Sequence, residues 1–213
     1  MFRSTLLRRV PPCGVLYYQS PLFVQNLPFA AQRTPTSVLL LTKIAQRTTS
    51  TMTTVSDGFS GRPWKDGEAH EVLPKVFLGS MEAAKDKESL KSHNVTHILT
   101  VNGKEPAFKG DFEYKVIKFG GDNGPLTPHL DDSLSFIESG VENGGVLIHC
   151  THGTGRSAAV AIAAVMKASG KDTPSGVGPF HEAFRLVKSR RPGTDPPMPF
   201  QQELGEWESS RSA

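Results

Sequence analysis

One segment limits what this chain can fold into more than any other: Val146-Leu147-Ile148-His149-Cys150-Thr151-His152-Gly153-Thr154-Gly155-Arg156-Ser157-Ala158-Ala159. A three-residue apolar run, too short for a helix, leads into Cys150. Five residues follow, two of them Gly, and Arg156-Ser157 then opens an Ala-rich apolar stretch. The order reads as buried strand, tight loop and buried helix. A unit of this kind belongs in a layered α/β fold, with its loop beyond the C-terminal end of a parallel strand, where such folds bind ligands.

The loop has the parts of an anion site. N–H groups at a helix start are unpaired and collect phosphate oxygens. Gly153 and Gly155 let the chain curl until several N–H groups face one centre, with Thr151, His152 and Thr154 completing the turn. Arg156 offers a planar fork that grips two oxygens at once. Such surroundings lower a thiol pKa, and a thiolate beneath a bound phosphoryl group is a nucleophile for covalent catalysis.

The rest of the chain alternates between strand and helix patterns. Val72 to Gly79 reads as short strands around a turn, Met81 to Lys91 as a helix, and Thr96 to Val101 as a strand closed by Asn102-Gly103. Tyr114 to Phe119 is a further strand. Pro128 to Val141 has Leu130, Leu134, Ile137 and Val141 at helical spacing, and Asn143-Gly144-Gly145 ends it. Val146 to Ile148 is the central strand. Ser157 to Ala168 is a helix apolar over much of its surface, ended by Gly170, and Phe180 to Arg190 and Phe200 to Trp207 give two more. The expected architecture is α/β, with a single central, mostly parallel sheet and helices on both faces.

The spacing Cys150-(five residues)-Arg156, with His149 before and Ser157 after, resembles the signature loop of the cysteine-dependent protein tyrosine phosphatase superfamily. Pro74-Lys75-Val76-Phe77-Leu78-Gly79-Ser80, Val95-Thr96-His97-Ile98-Leu99, Phe136-Ile137, Arg191-Pro192, Phe200-Gln201-Gln202-Glu203-Leu204 and Glu206-Trp207-Glu208 are similar to segments of its dual-specificity branch. The resemblance covers roughly residues 70–210 and implies a compact dual-specificity phosphatase domain acting on phosphoprotein substrates through a phosphocysteine. It further implies an Asp, on a loop ahead of the Cys, as general acid and then base. Asp122 in Phe119-Gly120-Gly121-Asp122-Asn123-Gly124-Pro125 is the candidate, although Asp in a Gly/Asn-rich stretch also suits a plain turn. Asp131 and Asp132 stand in reserve, but look like first-turn helix residues. Ser157 would donate a hydrogen bond to the Cys150 sulfur or cap the helix, and His149 would buttress the loop or simply fill the core.

Other substrates fit parts of the loop. Cys150-Thr151-His152-Gly153 is similar to RNA 5′-triphosphatases of the capping-enzyme type, which continue differently. Gly153-Thr154-Gly155-Arg156-Ser157 resembles glucan phosphatases, and lipid phosphatases usually carry more positive charge inside the loop. A phosphate-reading module without turnover is the alternative outside the enzymes. The chemistry needs no cofactor and no metal, and His70, His93, His97, His129 and His181 are scattered without ligand spacing.

Charge and cysteine content bear on location. Met1 to Ser56 has no Asp or Glu, yet holds six of the 24 basic residues: Arg3, Arg8, Arg9, Arg33, Lys43 and Arg47. The remaining 18 face all 21 acidic residues, so the net +3 of the chain belongs to this arm and does not argue for nucleic-acid binding. Residues 1–56 read as an organelle transit segment recognised by import machinery, mitochondrial first and plastid as the alternative, with 57–69 as linker. Initiation at Met52 would give a form without the arm, expected in the cytosol. No apolar run is long enough to span a membrane. Of the two Cys, Cys13 lies in the arm, which leaves Cys150 alone in the domain.

Overall fold

The computed structural model describes residues 67–119, 124–169 and 179–212. In chain order the elements are β1 (His70–Leu73), β2 (Val76–Gly79), a 3-10 turn (Ala83–Lys85), α1 (Lys87–Ser92), β3 (Val95–Thr100) and β4 (Glu113–Val116). After these come α2 (Thr127–Asn143), β5 (Gly145–His149), α3 (Arg156–Ser169), α4 (Pro179–Arg190) and α5 (Met198–Ser212).

The strands form one sheet in the order β1-β2-β5-β3-β4. Only the β1–β2 pair is antiparallel; β2–β5, β3–β5 and β3–β4 are all parallel. The β1–β2 hairpin turns at Lys75, which sits at φ 67°. Strand β5 is buried along its whole length, as the central apolar run predicts. His149 at its end pairs with Gly79 of β2 and Thr100 of β3, so three parallel strands end beside Cys150.

Side chains on a strand alternate between faces, and here the alternation separates two cores. Val76, Leu78, Leu99, Val146 and Ile148 join the larger core, which holds the buried faces of α2, α3, α4 and α5. Phe77, Ile98 and Leu147 point the other way and meet Ala84 of the 3-10 turn and Leu90 of α1. Helices therefore lie on both faces, unequally. Helix α3 is buried from Ser157 to Met166, which is why its sequence is apolar on every side. Helix α2 ends at Gly144, whose φ of 156° and close approach leave no room for a Cβ: one would fall 2.7 Å from the Asn94 carbonyl oxygen.

Three sequence expectations change. The single helix over Met81 to Lys91 is a 3-10 turn followed by α1, because Asp86 leaves helical geometry (φ −87°, ψ 84°) and its carboxylate accepts the Ser89 N–H at 3.0 Å as an N-cap. The strand expected over Tyr114 to Phe119 runs from Glu113 to Val116, since its partner β3 ends at Thr100, opposite Val116. Asp131 and Asp132 lie beyond the first turn of α2, which begins at Thr127. They are exposed and make ion pairs instead, Asp131 with Arg211 at 3.2 Å and Asp132 with Lys115 at 2.8 Å. Gly170, the 1–56 arm and most of the 57–69 linker lie outside the described residues.

Candidate active site

Cys150 follows β5 directly and is 4% exposed. Its sulfur accepts hydrogen bonds from the Ser157 hydroxyl at 3.1 Å and the Gly153 N–H at 3.3 Å. Burial by itself pushes the thiol pKa up. The Ser157 hydroxyl, with the N–H groups of Ser157, Gly153 and His152, outweighs burial and brings the pKa below its ordinary value.

The loop after Cys150 is shaped by where its carbonyls go. The Thr151 carbonyl accepts the Met81 N–H at 3.1 Å, and the Thr154 carbonyl accepts the Asp195 N–H at 2.9 Å. Between them, the His152 carbonyl accepts Arg191 Nη2 at 3.0 Å and the Gly153 carbonyl accepts Arg191 Nε at 2.9 Å. In a planar trans peptide the next N–H points opposite to the carbonyl. Four carbonyls held outward therefore turn the N–H groups of His152, Gly153, Thr154 and Gly155 inward, around the thiol. This is an anion nest built from backbone, and it sits at the start of α3. Gly153 is required for it. Its φ is 73°, and a Cβ there would lie 2.3 Å from the Gly79 carbonyl oxygen.

Arg191, just past α4, is fully buried, and Nη1 also reaches the Glu68 carbonyl at 3.0 Å and His70 Nδ1 at 2.9 Å. In the sequence Arg191-Pro192 stands only as a likeness, with no task attached to Arg191. His70, one of the histidines without ligand spacing, orients the guanidinium that shapes the loop. An Arg closing a helix looks like an ordinary complement to the helix dipole, and its backbone targets leave no mark in the sequence. His70 Nδ1 must be unprotonated to accept from Arg191. Burial and then the Arg191 charge lower its pKa, against the opposing pull of Glu68.

His149 is buried, and burial lowers its pKa, so the neutral ring dominates. Nδ1 lies 3.2 Å from the Cys150 carbonyl, which can only accept, so the proton is assigned to Nδ1. Nε2 then accepts the Thr100 hydroxyl at 2.9 Å. His149 thereby links the Cys150 carbonyl to Thr100 of β3. Thr151 Oγ1 meets Asn102 Nδ2 at 3.4 Å.

Arg156 is the first residue of α3 and is partly exposed. Among the described residues, none makes a hydrogen bond or ion pair with its guanidinium. Asp122 lies outside the described residues. On either side of its segment the chain is tied to α5: the Phe119 ring packs 6.0 Å from that of Phe200, and Glu203 Oε2 accepts the N–H groups of Leu126 and Thr127 at 2.7 and 2.8 Å. Among the described residues, no group of three His, Cys, Asp or Glu side chains could hold a metal ion, and no helix is long and apolar enough to cross a membrane.

A lowered-pKa thiol beneath a backbone anion nest, with Arg156 opening the helix that follows, is the arrangement a cysteine-dependent phosphatase uses. Comparison with known proteins agrees. The model of the dual specificity phosphatase catalytic domain matches residues 76–210. Dual specificity protein phosphatase 1B of Arabidopsis thaliana is 38% identical over 143 residues, 66% of this chain and 81% of that protein. Dual specificity protein phosphatase 19 of Mus musculus is 36% identical over 136 residues, 62% of this chain and 59% of that one. Among solved structures, human DUSP28 superposes with a TM-score of 0.56 at 30% identity, covering 68% of this chain and 95% of that one. Human tyrosine phosphatase-like serine/threonine/tyrosine-interacting protein does so with a TM-score of 0.61 at 29% identity, covering 69% and 99%. The chain belongs to the dual specificity phosphatase family. It is a protein phosphatase, the first of the readings its loop left open.

Proposed function

We propose that this protein hydrolyses phosphotyrosine and phosphoserine or phosphothreonine in proteins, with Cys150, Arg156, Asp122 and Ser157 carrying the chemistry. The Cys150 thiolate attacks phosphorus, forming the S–P bond as the bond to the leaving oxygen breaks. Arg156 and the inward N–H groups from His152 to Gly155 hold the three remaining oxygens, where charge must be stabilised in the transition state. Asp122 gives its proton to the leaving oxygen. In the second step Asp122 takes a proton from water, the water oxygen bonds to phosphorus, and the S–P bond breaks. Ser157 eases that departure by donating a hydrogen bond to the sulfur.

The observation that carries this reading is the outward turn of the four carbonyls from Thr151 to Thr154 around a buried thiol of lowered pKa. The test is phosphate release from an aryl phosphate and from phosphopeptides by the full chain, with a chelator present and Cys150→Ser as blank. Turnover that depends on Cys150 and survives chelation supports the reading, and turnover retained by Cys150→Ser sinks it.

Residues 70–210 make up the catalytic domain in this reading, after a linker at 57–69. The arm at 1–56 directs the protein through import machinery into mitochondria. Its basic, acid-free composition supports that address. Plastid import, or a cytosolic form begun at Met52, are the outcomes that tagging the full chain and the Met52 form would separate.

A further inference from the structure

A surface-opening cavity of about 110 Å³ lies beside the phosphate loop. Its deep end is the hydrogen-bonded pair Thr100 and His149, both buried. Its walls are mostly apolar: Met81, Ala84, Pro106, Ala107 and the Tyr114 side chain. The cavity and the loop share a wall. His149 directly precedes Cys150, and Met81 donates its N–H to the Thr151 carbonyl. A chain laid across the loop with its phosphoryl group in the nest would pass the cavity mouth. An extended chain advances about 3.3–3.6 Å per residue, so the mouth is within reach of a residue one to three places from the phosphoresidue.

Size and charge narrow the occupant. An apolar cavity of about 150 Å³ accepts benzene. This one is smaller, and fits an aliphatic side chain better than an aromatic ring. Its rim carries exposed Lys85, Lys104 and Glu105. Glu105 is already engaged by Lys109 at 3.0 Å and lies within the influence of Lys118. Lys118 passes close to Gly103, next to Lys104. Glu82 stands beside Lys85 and His152, whose charges act on it. Two lysines against one carboxylate, itself paired with Lys109, leave the rim positive, which favours a substrate carboxylate.

We propose that this cavity is a substrate subsite. It takes an aliphatic side chain one to three residues from the phosphoresidue, while a neighbouring Asp or Glu of the substrate meets Lys85 and Lys104. The subsite rests on the reading that the phosphoryl group occupies the Cys150 loop. It adds a preference that the loop alone does not supply.

Binding tests it. The full chain carrying Cys150→Ser is titrated calorimetrically with phosphotyrosine peptides. One set has Leu and Glu within three residues of the phosphotyrosine, on either side; the others replace Leu by Gly or Glu by Lys. The Leu/Glu peptide is expected to bind roughly tenfold or more tightly than its Gly counterpart, the scale at which apolar pockets discriminate. Adding Ala107→Trp, which fills the cavity from an exposed position, should erase that difference and leave the Gly peptide unaffected. Lys104→Glu should weaken the Glu peptide and not the Lys peptide. Equal affinity for Leu and Gly peptides overturns the subsite, as does a preference that survives Ala107→Trp. Aryl phosphate hydrolysis is read alongside. Its absence in the unaltered protein would count against the proposed chemistry, while the peptide ranking still judges the cavity.

Discussion

Arg191 Nε lies 2.9 Å from the Gly153 carbonyl oxygen, and through that contact a residue beyond α4 sets the direction of an N–H group in the phosphate loop. Replacing it is expected to disable the loop without touching Cys150. Arg191→Ala takes the donor from the Glu68, His152 and Gly153 carbonyls, and the buried Gly153 carbonyl alone costs about 1–3 kcal/mol. The urea midpoint should fall, and kcat/KM on a phosphopeptide should drop by roughly a hundredfold or more, as for loss of oxyanion donors. Arg191→Lys should not restore activity, because an ammonium cannot reproduce the planar fork. Wild-type kcat/KM in either variant would contradict the account of the loop.

Gly153→Ala gives a second test of the same loop. The added methyl group would sit 2.3 Å from the Gly79 carbonyl oxygen, at a φ of 73° that side chains rarely adopt. The loop must move, so phosphate-analogue binding and turnover should both fall at least tenfold. Tight binding of vanadate or tungstate by this variant would show that the geometry matters less than argued.

Ser157→Ala removes the hydroxyl that helps lower the Cys150 pKa. The expected direction is upward. Only the thiolate alkylates, so the pH midpoint for inactivation by iodoacetamide should move to higher pH in the variant. The step that breaks the S–P bond should slow as well, which lets phosphoenzyme accumulate. An unchanged alkylation profile would assign Ser157 a packing role only.

Acid should loosen the loop through His70. Its pKa is lowered in the fold, first by burial and then by Arg191. A group whose folded pKa is depressed stabilises the fold at pH values above its unfolded value, and that contribution is lost as pH falls from there through the folded value. Thermal stability should therefore decline as pH drops below about 6.5. His70→Asn keeps an oxygen acceptor near Arg191 and should flatten part of the decline. Buried His149, shifted the same way, would account for the remainder. A His70→Asn profile that overlays the wild type would remove His70 from this role.

Much of the site could be read from the chain because its parts are contiguous. Strand, Cys150, Gly153, Arg156 and helix follow one another within fourteen residues, and each leaves a local pattern. Strand β5 and helix α3 were legible because burial on every side makes a run apolar throughout. Arg191 was not legible, since its ties to Gly153 and His152 are to backbone 38 and 39 residues away. Glu203 was hidden for a similar reason: it accepts from the first turn of α2 across 76 and 77 residues. The break at Asp86 was missed because an Asp within a helical pattern is outvoted by its neighbours until its cap to Ser89 is seen.

The central claim is covalent, and a covalent measurement tests it most directly. The full-length enzyme, mixed with a phosphopeptide and quenched in acid during turnover, should yield one phosphorylated peptide on mass spectrometry, the one containing Cys150. Cys150→Ser should release no phosphate. Steady turnover with Cys150 unmodified at every time point, or phosphate on another side chain, would contradict the account.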